Sequence, residues 1–207
     1  MKHIADSTVR RLSLYIRFLE ELEQQAQATV SSEELARRCG TTSAQVRKDL
    51  SFFGSFGKRG LGYDVHELAG RLREILGLER DWRVIIVGAG KIGAALVAYK
   101  GFLQHRFRIV AVYDNSPDKV GSTLEGFRIR HVSDLARDAA SDPPDIAVLT
   151  VPPEAAQDVV DTLVSAGVGA ILNFAPASLN VPSKVALKNV NMAIELEGLA
   201  FALTNRE

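Results

Sequence analysis

The chain has 207 residues, 46% of them hydrophobic and 24% charged, with 25 basic and 25 acidic side chains. That mixture suits one large or two small globular domains. The balanced charge means that a nucleic-acid role must rest on local charge, since the chain as a whole offers none. Among candidate segments no apolar run approaches the roughly 20 residues of a membrane span, and "MKHIADSTVRRL" has no apolar signal core, so a cytoplasmic protein is expected. The single cysteine, Cys39, excludes an internal disulfide framework and reads as a small buried residue.

In chain order, Val9, Leu12, Tyr15, Ile16, Leu19 and Leu22 recur at helical spacing. Asp6 or Ser7 is the expected cap. "SSEELARRC" predicts a second helix capped by Ser31 or Ser32 and ended by Gly40. "TSAQVRKDLSFF" predicts a third, with Val46, Leu50 and Phe53 on one face. Gly54, Gly57, Gly60 and Gly62 punctuate the loop that follows. "VHELAGRLREILGL" predicts a fourth helix leading out of the domain. From Trp82 onward, apolar strands alternate with helices. The strands are "RVIIVG", "FRIVAVYD", "IAVLTV" and "GAILNFA"; the helices are "GKIGAALVAYKG", "VSDLARDA" and "EAAQDVVDTLVSAG". This pattern indicates a parallel sheet covered on both faces. The end, "VNMAIELEGLAFALTN", reads as a helix apolar on one side that needs a partner. The expected divisions are 1–80, 81–184 and 185–207.

Two motifs carry chemistry. "VGAGKIG" spans Gly88, Ala89, Gly90, Lys91, Ile92 and Gly93 in a G-x-G-x-x-G arrangement. A strand precedes it, a helix follows, and Asp114 closes the next strand about 20 residues on. The helix N-terminus suits a pyrophosphate and Asp114 suits free ribose hydroxyls, which favours NAD(H) over NADP(H). Coenzyme A is the competing ligand for such a turn. "LTVPPE" and "LNFAPASL" fall where strands end, so Thr150, Val151, Pro152, Asn173, Phe174, Ala175 and Pro176 are further candidate cofactor contacts.

The second motif is a helix-turn-helix formed by "SSEELARRC", "GTT" and "SAQVRKDL". It places Ser43, Gln45, Arg47, Lys48 and Ser51 on a recognition helix. The loop "GSFGKRGLGY" reads as a wing, with Lys58 and Arg59 reaching phosphates or the minor groove. Between Arg37 and Arg59 about six basic residues face one acid, Asp49. None of His3, His66, His105 and His131 sits opposite the fingerprint with a carboxylate neighbour. There is no metal-ligand cluster and no nucleophile elbow, so neither a catalytic residue nor a metal is expected. An NAD-dependent oxidoreductase carrying an interaction domain is the rival reading.

The blocks "QVRKDLSFFGSFGKRGLGY", "VGAGKIGAAL", "LTVP" and "ILNFAP" together resemble the Rex family of bacterial redox-sensing repressors, over almost the whole chain. The resemblance implies a homodimer with a winged-helix domain, a Rossmann domain binding NAD(H) and a C-terminal helix exchanged between subunits. It implies binding to palindromic double-stranded operator DNA when NADH is scarce, release by NADH, and NAD+ as competitor. It also implies an interface switch through Arg17, Tyr99 and a third, usually acidic, position that is Asn191 here. Met192 then stands beside the nicotinamide. Asn191 can hydrogen-bond but cannot pair ionically with Arg17.

Overall fold

The computed structural model describes residues 4–57 and 60–205. The chain divides into two compact units, Met1–Arg80 and Asp81–Glu207. The first contains α1 (Asp6–Gln24), β1 (Thr29–Val30), α2 (Ser32–Arg38), α3 (Ser43–Ser51), β2 (Tyr63–Asp64) and α4 (Val65–Ile75). α1 buries Leu12, Tyr15, Ile16, Phe18, Leu19 and Leu22, while Val9, expected on that face, is 41% exposed. Its N-cap is Ala5, with no side-chain cap bond. Asp6 instead lies in the first turn, where the helix dipole favours its charge, and Ser7 caps nothing.

Side-chain oxygens start the remaining helices. Ser31 accepts from the Glu34 N–H, Thr42 from the Gln45 N–H and Asp64 from the Glu67 N–H. Leu35 and Ala36 of α2 and Val46 and Leu50 of α3 join the core of α1 and α4. Gly40 makes the intervening turn with a φ of 64°. β1 and β2 pair antiparallel, so the far end of the loop that follows α3 is held against the strand that precedes α2. The architecture is a winged helix-turn-helix. Lys58 and Arg59, expected on the wing, lie outside the described residues.

One acid is buried in this unit. Asp49 of α3 accepts from Arg11 Nε and Nη2 at 2.6 and 2.7 Å, from Tyr15 Oη at 3.0 Å and from Gln45 Nε2 at 2.8 Å. The carboxylate therefore ties α1 to α3 through the core rather than adding an acid to the basic surface.

The second unit contains β3 (Trp82–Val87), α5 (Lys91–Ala98), α6 (Gly101–Gln104), β4 (Phe107–Asp114), β5 (Thr123–Leu124) and β6 (Phe127–His131). It continues with α7 (Leu135–Ser141), β7 (Ile146–Leu149), α8 (Pro153–Ser165), β8 (Ala170–Asn173), β9 (Ala186–Asn189) and α9 (Met192–Thr204). The sheet order is β5-β6-β4-β3-β7-β8-β9, all parallel except the β5–β6 pair. Without β5 this is the 3-2-1-4-5-6 order of the doubly wound dinucleotide fold. Its faces bury Ile85, Val87, Leu149 and Ile171 on one side and Val84, Ile86, Val112 and Val148 on the other.

Four expectations need correction. β5, β6 and β9 were not among the predicted strands. The division at 184/185 falls just before β9, which hydrogen-bonds to β8, so the sheet extends beyond it. The helix predicted over "GKIGAALVAYKG" breaks at Tyr99, whose ψ of 102° is extended. α9 is apolar on two sides: Met192, Leu196, Leu199 and Leu203 form one stripe and Ile194 and Phe201 the opposite one. All six are at least 60% exposed.

Burial works to raise the Asp49 carboxyl, but the bonds from Arg11, Gln45 and Tyr15 outweigh it and hold it below the ordinary value. Asp49→Ala strands the Arg11 guanidinium, and the expected loss is about 3 kcal/mol by urea unfolding at neutral pH. A lowered folded pKa gives stability that is complete above the ordinary carboxyl value and vanishes as pH falls through the lowered one. The gap between wild type and Asp49→Ala should therefore close in acid; a constant gap would refute the assignment.

Candidate functional site

The strand order reverses between β3 and β7, and a cavity of ≈ 320 Å³ opens there beyond the strand ends. Gly88 and Gly90 from the glycine turn, Asp114 and Lys119 from β4 and beyond, and Thr150 to Pro152 after β7 line it. Gly88 has a φ of 105°, and a Cβ on it would meet the Thr150 carbonyl oxygen at 2.6 Å. A Cβ on Gly93 would collide with the Gly88 carbonyl oxygen. Gly90 differs: a Cβ there meets no protein atom within 4 Å. The turn and α5 thus pack as tightly as glycine allows, and the space over Gly90 stays open beside the first-turn N–H groups of α5. An open cradle with free N–H donors fits a pyrophosphate.

Asp114 is 6% exposed. It accepts from the Ala89 N–H at 2.7 Å and the Ser116 N–H at 2.8 Å, and Lys119 Nζ lies 3.1 Å away. Burial works to raise this carboxyl, but the two N–H bonds and the Lys119 ammonium hold it below the ordinary value. Asp114 therefore pins the glycine turn to the end of β4 while its remaining acceptor capacity faces the cavity. Lys119 escaped the sequence reading, along with Asn115, Ser116, Val132, Ala155 and Val159. Lys119 sits five residues past Asp114 in "YDNSPDKVG", and that spacing was its one signal.

The other predicted cofactor residues divide. The Thr150 hydroxyl donates to the Gly88 carbonyl at 2.7 Å, so it braces the turn. The Ala89 N–H is spent on Asp114, and Lys91 and Ile92 are exposed at the start of α5. Asn173 is 1% exposed and fully engaged within the fold: Nδ2 donates to Ala175 O and Asn189 Oδ1, and Oδ1 accepts from the Ala175 N–H. It joins β8 to β9 and does not line the cavity. Phe174 and Ala175 pack into the core, and Pro176 is exposed.

On α3, Ala44, Arg47, Lys48 and Ser51 form the exposed stripe, with Ser43 and Gln45 half-buried on its flanks. Ala44 was missed because it carries no polar group. Arg47 Nη1 donates to Ser32 Oγ at 2.9 Å and lies 3.4 Å from Glu33 Oε1, yet its side chain is 55% exposed. The Ser51 hydroxyl donates back to the Lys48 carbonyl. Arg17 is exposed on α1. Tyr99 is 56% exposed, with Phe102 edge-on at 5.1 Å. Asn191 caps α9, its Oδ1 accepting from the Ala193 N–H at 3.0 Å, and Met192 is 65% exposed. His66 pairs with Glu23, and the described residues contain no cluster of three or more metal ligands. No helix among them is long and apolar enough to cross a membrane.

Fold and site define a winged-helix DNA-binding protein joined to a Rossmann-type nucleotide-binding unit. The chain is 48% identical over 205 residues to the redox-sensing transcriptional repressor Rex of Syntrophomonas wolfei, covering 98% of both chains. It belongs to the Rex family. The Rex of Streptomyces griseus is 48% identical over 198 residues, 96% of this chain and 78% of that one. A CoA binding domain model matches residues 79–177, and a model of DNA-binding protein N-termini matches residues 3–51. The solved structure of RSP, a Rex-family repressor, with NAD+ and operator DNA superposes at a TM-score of 0.92, with 36% identity over 98% of this chain and 94% of that one. RSP with NADH superposes at 0.87, with 35% identity over 98% and 95%. The relatives are named repressors, and the ligands named with RSP are NAD+ with operator DNA and NADH.

Gly90→Ala and Gly93→Ala should separate binding from folding. Gly90→Ala should fold with an unchanged Tm and lose at least about tenfold in NADH affinity, because its methyl fills only the open cradle. Gly93→Ala should lower Tm, because its methyl collides with the Gly88 carbonyl. Thermal melts beside NADH titrations read both, and equal melting of the two variants would sink the distinction.

Proposed function

We propose that this chain is a homodimeric repressor that binds a palindromic operator when NADH is scarce and releases it when NADH accumulates, NAD+ competing for the same cleft. The carrying observation is that one chain joins an exposed basic reader stripe, Arg47 and Lys48 on α3, to an open cradle beside Asp114. In this reading α5 and Gly90 hold the pyrophosphate, and Asp114, positioned by Lys119, takes the adenosine ribose. Val151 and Pro152 line the way toward the nicotinamide, and Met192 of α9 approaches that ring. Oxidised and reduced rings differ by a positive charge and by planarity. Only a differential interaction with two protein states turns that difference into a switch.

α9 supports the dimer. A helix with apolar side chains on two opposite sides needs cover on both. A helix exchanged between two copies receives that cover, and two-fold symmetry gives two operator half-sites. Arg17, Tyr99 and Asn191 make up the interface switch, and an operator-binding protein works in the cytoplasm with the chromosome.

The direct test incubates purified protein with random duplex DNA and elutes with NADH, NAD+ or buffer. NADH should selectively elute a palindromic sequence; equal elution by all three would break the redox switch while leaving DNA binding intact. Asn191→Asp tests the interface. Aspartate caps α9 as well as asparagine does, so the fold should persist. The added charge can pair with Arg17, and the NADH concentration for half-release should shift severalfold in gel-shift titrations. An unmoved release curve would remove Asn191 from the switch.

A further inference from the structure

Gln45 is the third residue of α3, at the end of a recognition helix that meets base edges. Its Nε2 donates to Asp49 Oδ1 at 2.8 Å. Asp49 is wholly buried and receives three further bonds from Arg11 and Tyr15. An ionised carboxylate only accepts, so the amide cannot rotate its oxygen inward without placing two acceptors together. The polarity of Gln45 is thereby set by its partner's chemistry. Nε2 is committed to the buried carboxylate, which leaves Oε1 as the amide's other end on a half-buried side chain whose helix neighbours Ala44, Arg47 and Lys48 are exposed. No donor among the described residues is recorded on Oε1, so it is free to accept.

A glutamine without such an anchor is ambidextrous in the major groove. It can turn its oxygen to an amino group, or its nitrogen to the keto oxygen of guanine or thymine. We propose that Gln45 reads one base of each half-site through Oε1, accepting from an exocyclic amino group, adenine N6 or cytosine N4, and that Asp49 is the positioning residue that imposes this polarity. The inference rests on the reading of α3 as the operator-reading helix. The Arg11–Asp49–Tyr15 cluster then has a second use beyond joining α1 to α3: it fixes which hydrogen-bonding edge the helix offers. The second Nε2 hydrogen remains free to bond adenine N7, which leaves the demand for an amino group unchanged.

The experiment selects operator sequences with wild type and with Gln45→Ala and compares base preferences position by position. It then measures binding of operators in which the amino group at the affected base is deleted, with purine in place of adenine or 2-pyrimidinone in place of cytosine. Gln45→Ala should flatten the preference at one base pair per half-site and leave the others. Amino deletion there should cost wild type roughly threefold to tenfold and Gln45→Ala almost nothing, so that only the coupled loss counts. Asp49→Asn, where it folds by circular dichroism, should admit a keto-bearing base at that position, a relaxation that simple loss of stability does not produce.

An unchanged preference profile in Gln45→Ala would overturn the inference while leaving the repressor reading intact. A Gln45-dependent preference for a keto oxygen would overturn it too. Failure of wild type to select any sequence would overturn the repressor reading and the inference together. Where Asp49→Asn does not fold, wild type against Gln45→Ala still decides.

Discussion

The carboxy-terminal unit depends on how closely α5 approaches β3 at the switch point. The position a Gly93 Cβ would take collides with the Gly88 carbonyl oxygen, and the Thr150 hydroxyl donates to that same oxygen at 2.7 Å. Three strands meet around this contact: β3 supplies the turn, β7 supplies Thr150, and β4 supplies Asp114, which holds the Ala89 N–H. Close approach aims the N-terminus of α5 at the open space over Gly90. A bulkier residue at position 93 would push the helix back and spoil donor directions along with packing. The glycine spacing is thus a packing requirement first and a binding device as its consequence.

Much of this was legible. The fingerprint works as a sequence signal because Gly88 and Gly93 answer packing demands, Gly90 leaves the cradle open, and an acid closing the next strand completes it. What escaped notice lacks such a demand. β6 reads "FRIRH", an alternation in which arginines occupy the outward positions near the sheet edge, so no apolar run marks it. β9, "ALKN", is the opposite edge strand and is too short and mixed to stand out. Asn173 falls at a strand end, where a ligand contact is a fair expectation. The fold instead uses its amide to bind Asn189, a partner 16 residues away that sequence does not pair with it. The second apolar stripe of α9 was hidden because Ile194 and Phe201 merge with the first in a helix that is apolar almost all round.

Charge in the amino-terminal unit shows the same limit. Counting basic residues from Arg37 to Arg59 treats Asp49 as a surface acid. Burial removes it from the surface, while Glu33 of α2 meets Arg47. Arg38 lies over the Phe18 ring with its charge 4.9 Å from the ring centre. The field offered to a phosphate backbone is therefore set by which side chains are engaged within the fold. α9 carries a comparable hidden constraint. Six large apolar side chains left in water forgo on the order of 10 kcal/mol of burial, at roughly 1.5–3 kcal/mol each. That is as much as the whole stability of many domains. Covering them would therefore be a large favourable contribution to the dimer proposed above.

Redox discrimination, in the proposed reading, needs parts of the site other than the glycine turn. NADH and NAD+ are identical from the adenine to the nicotinamide ribose. Contacts at Gly90 and Asp114 therefore contribute equally to both, and a ligand with equal preference for two states shifts nothing however tightly it binds. In the proposed reading those residues would set how much dinucleotide is needed, without choosing the redox form. The choice has to arise where the ring lies, and it must bias an element that has two arrangements. In the proposed reading Met192 and Asn191 are the candidates for that role, because they begin α9, whose apolar side chains are uncovered in the single chain. On that reading, affinity and discrimination would therefore be built from different parts of the chain: the first from the glycine turn, the second from the start of α9.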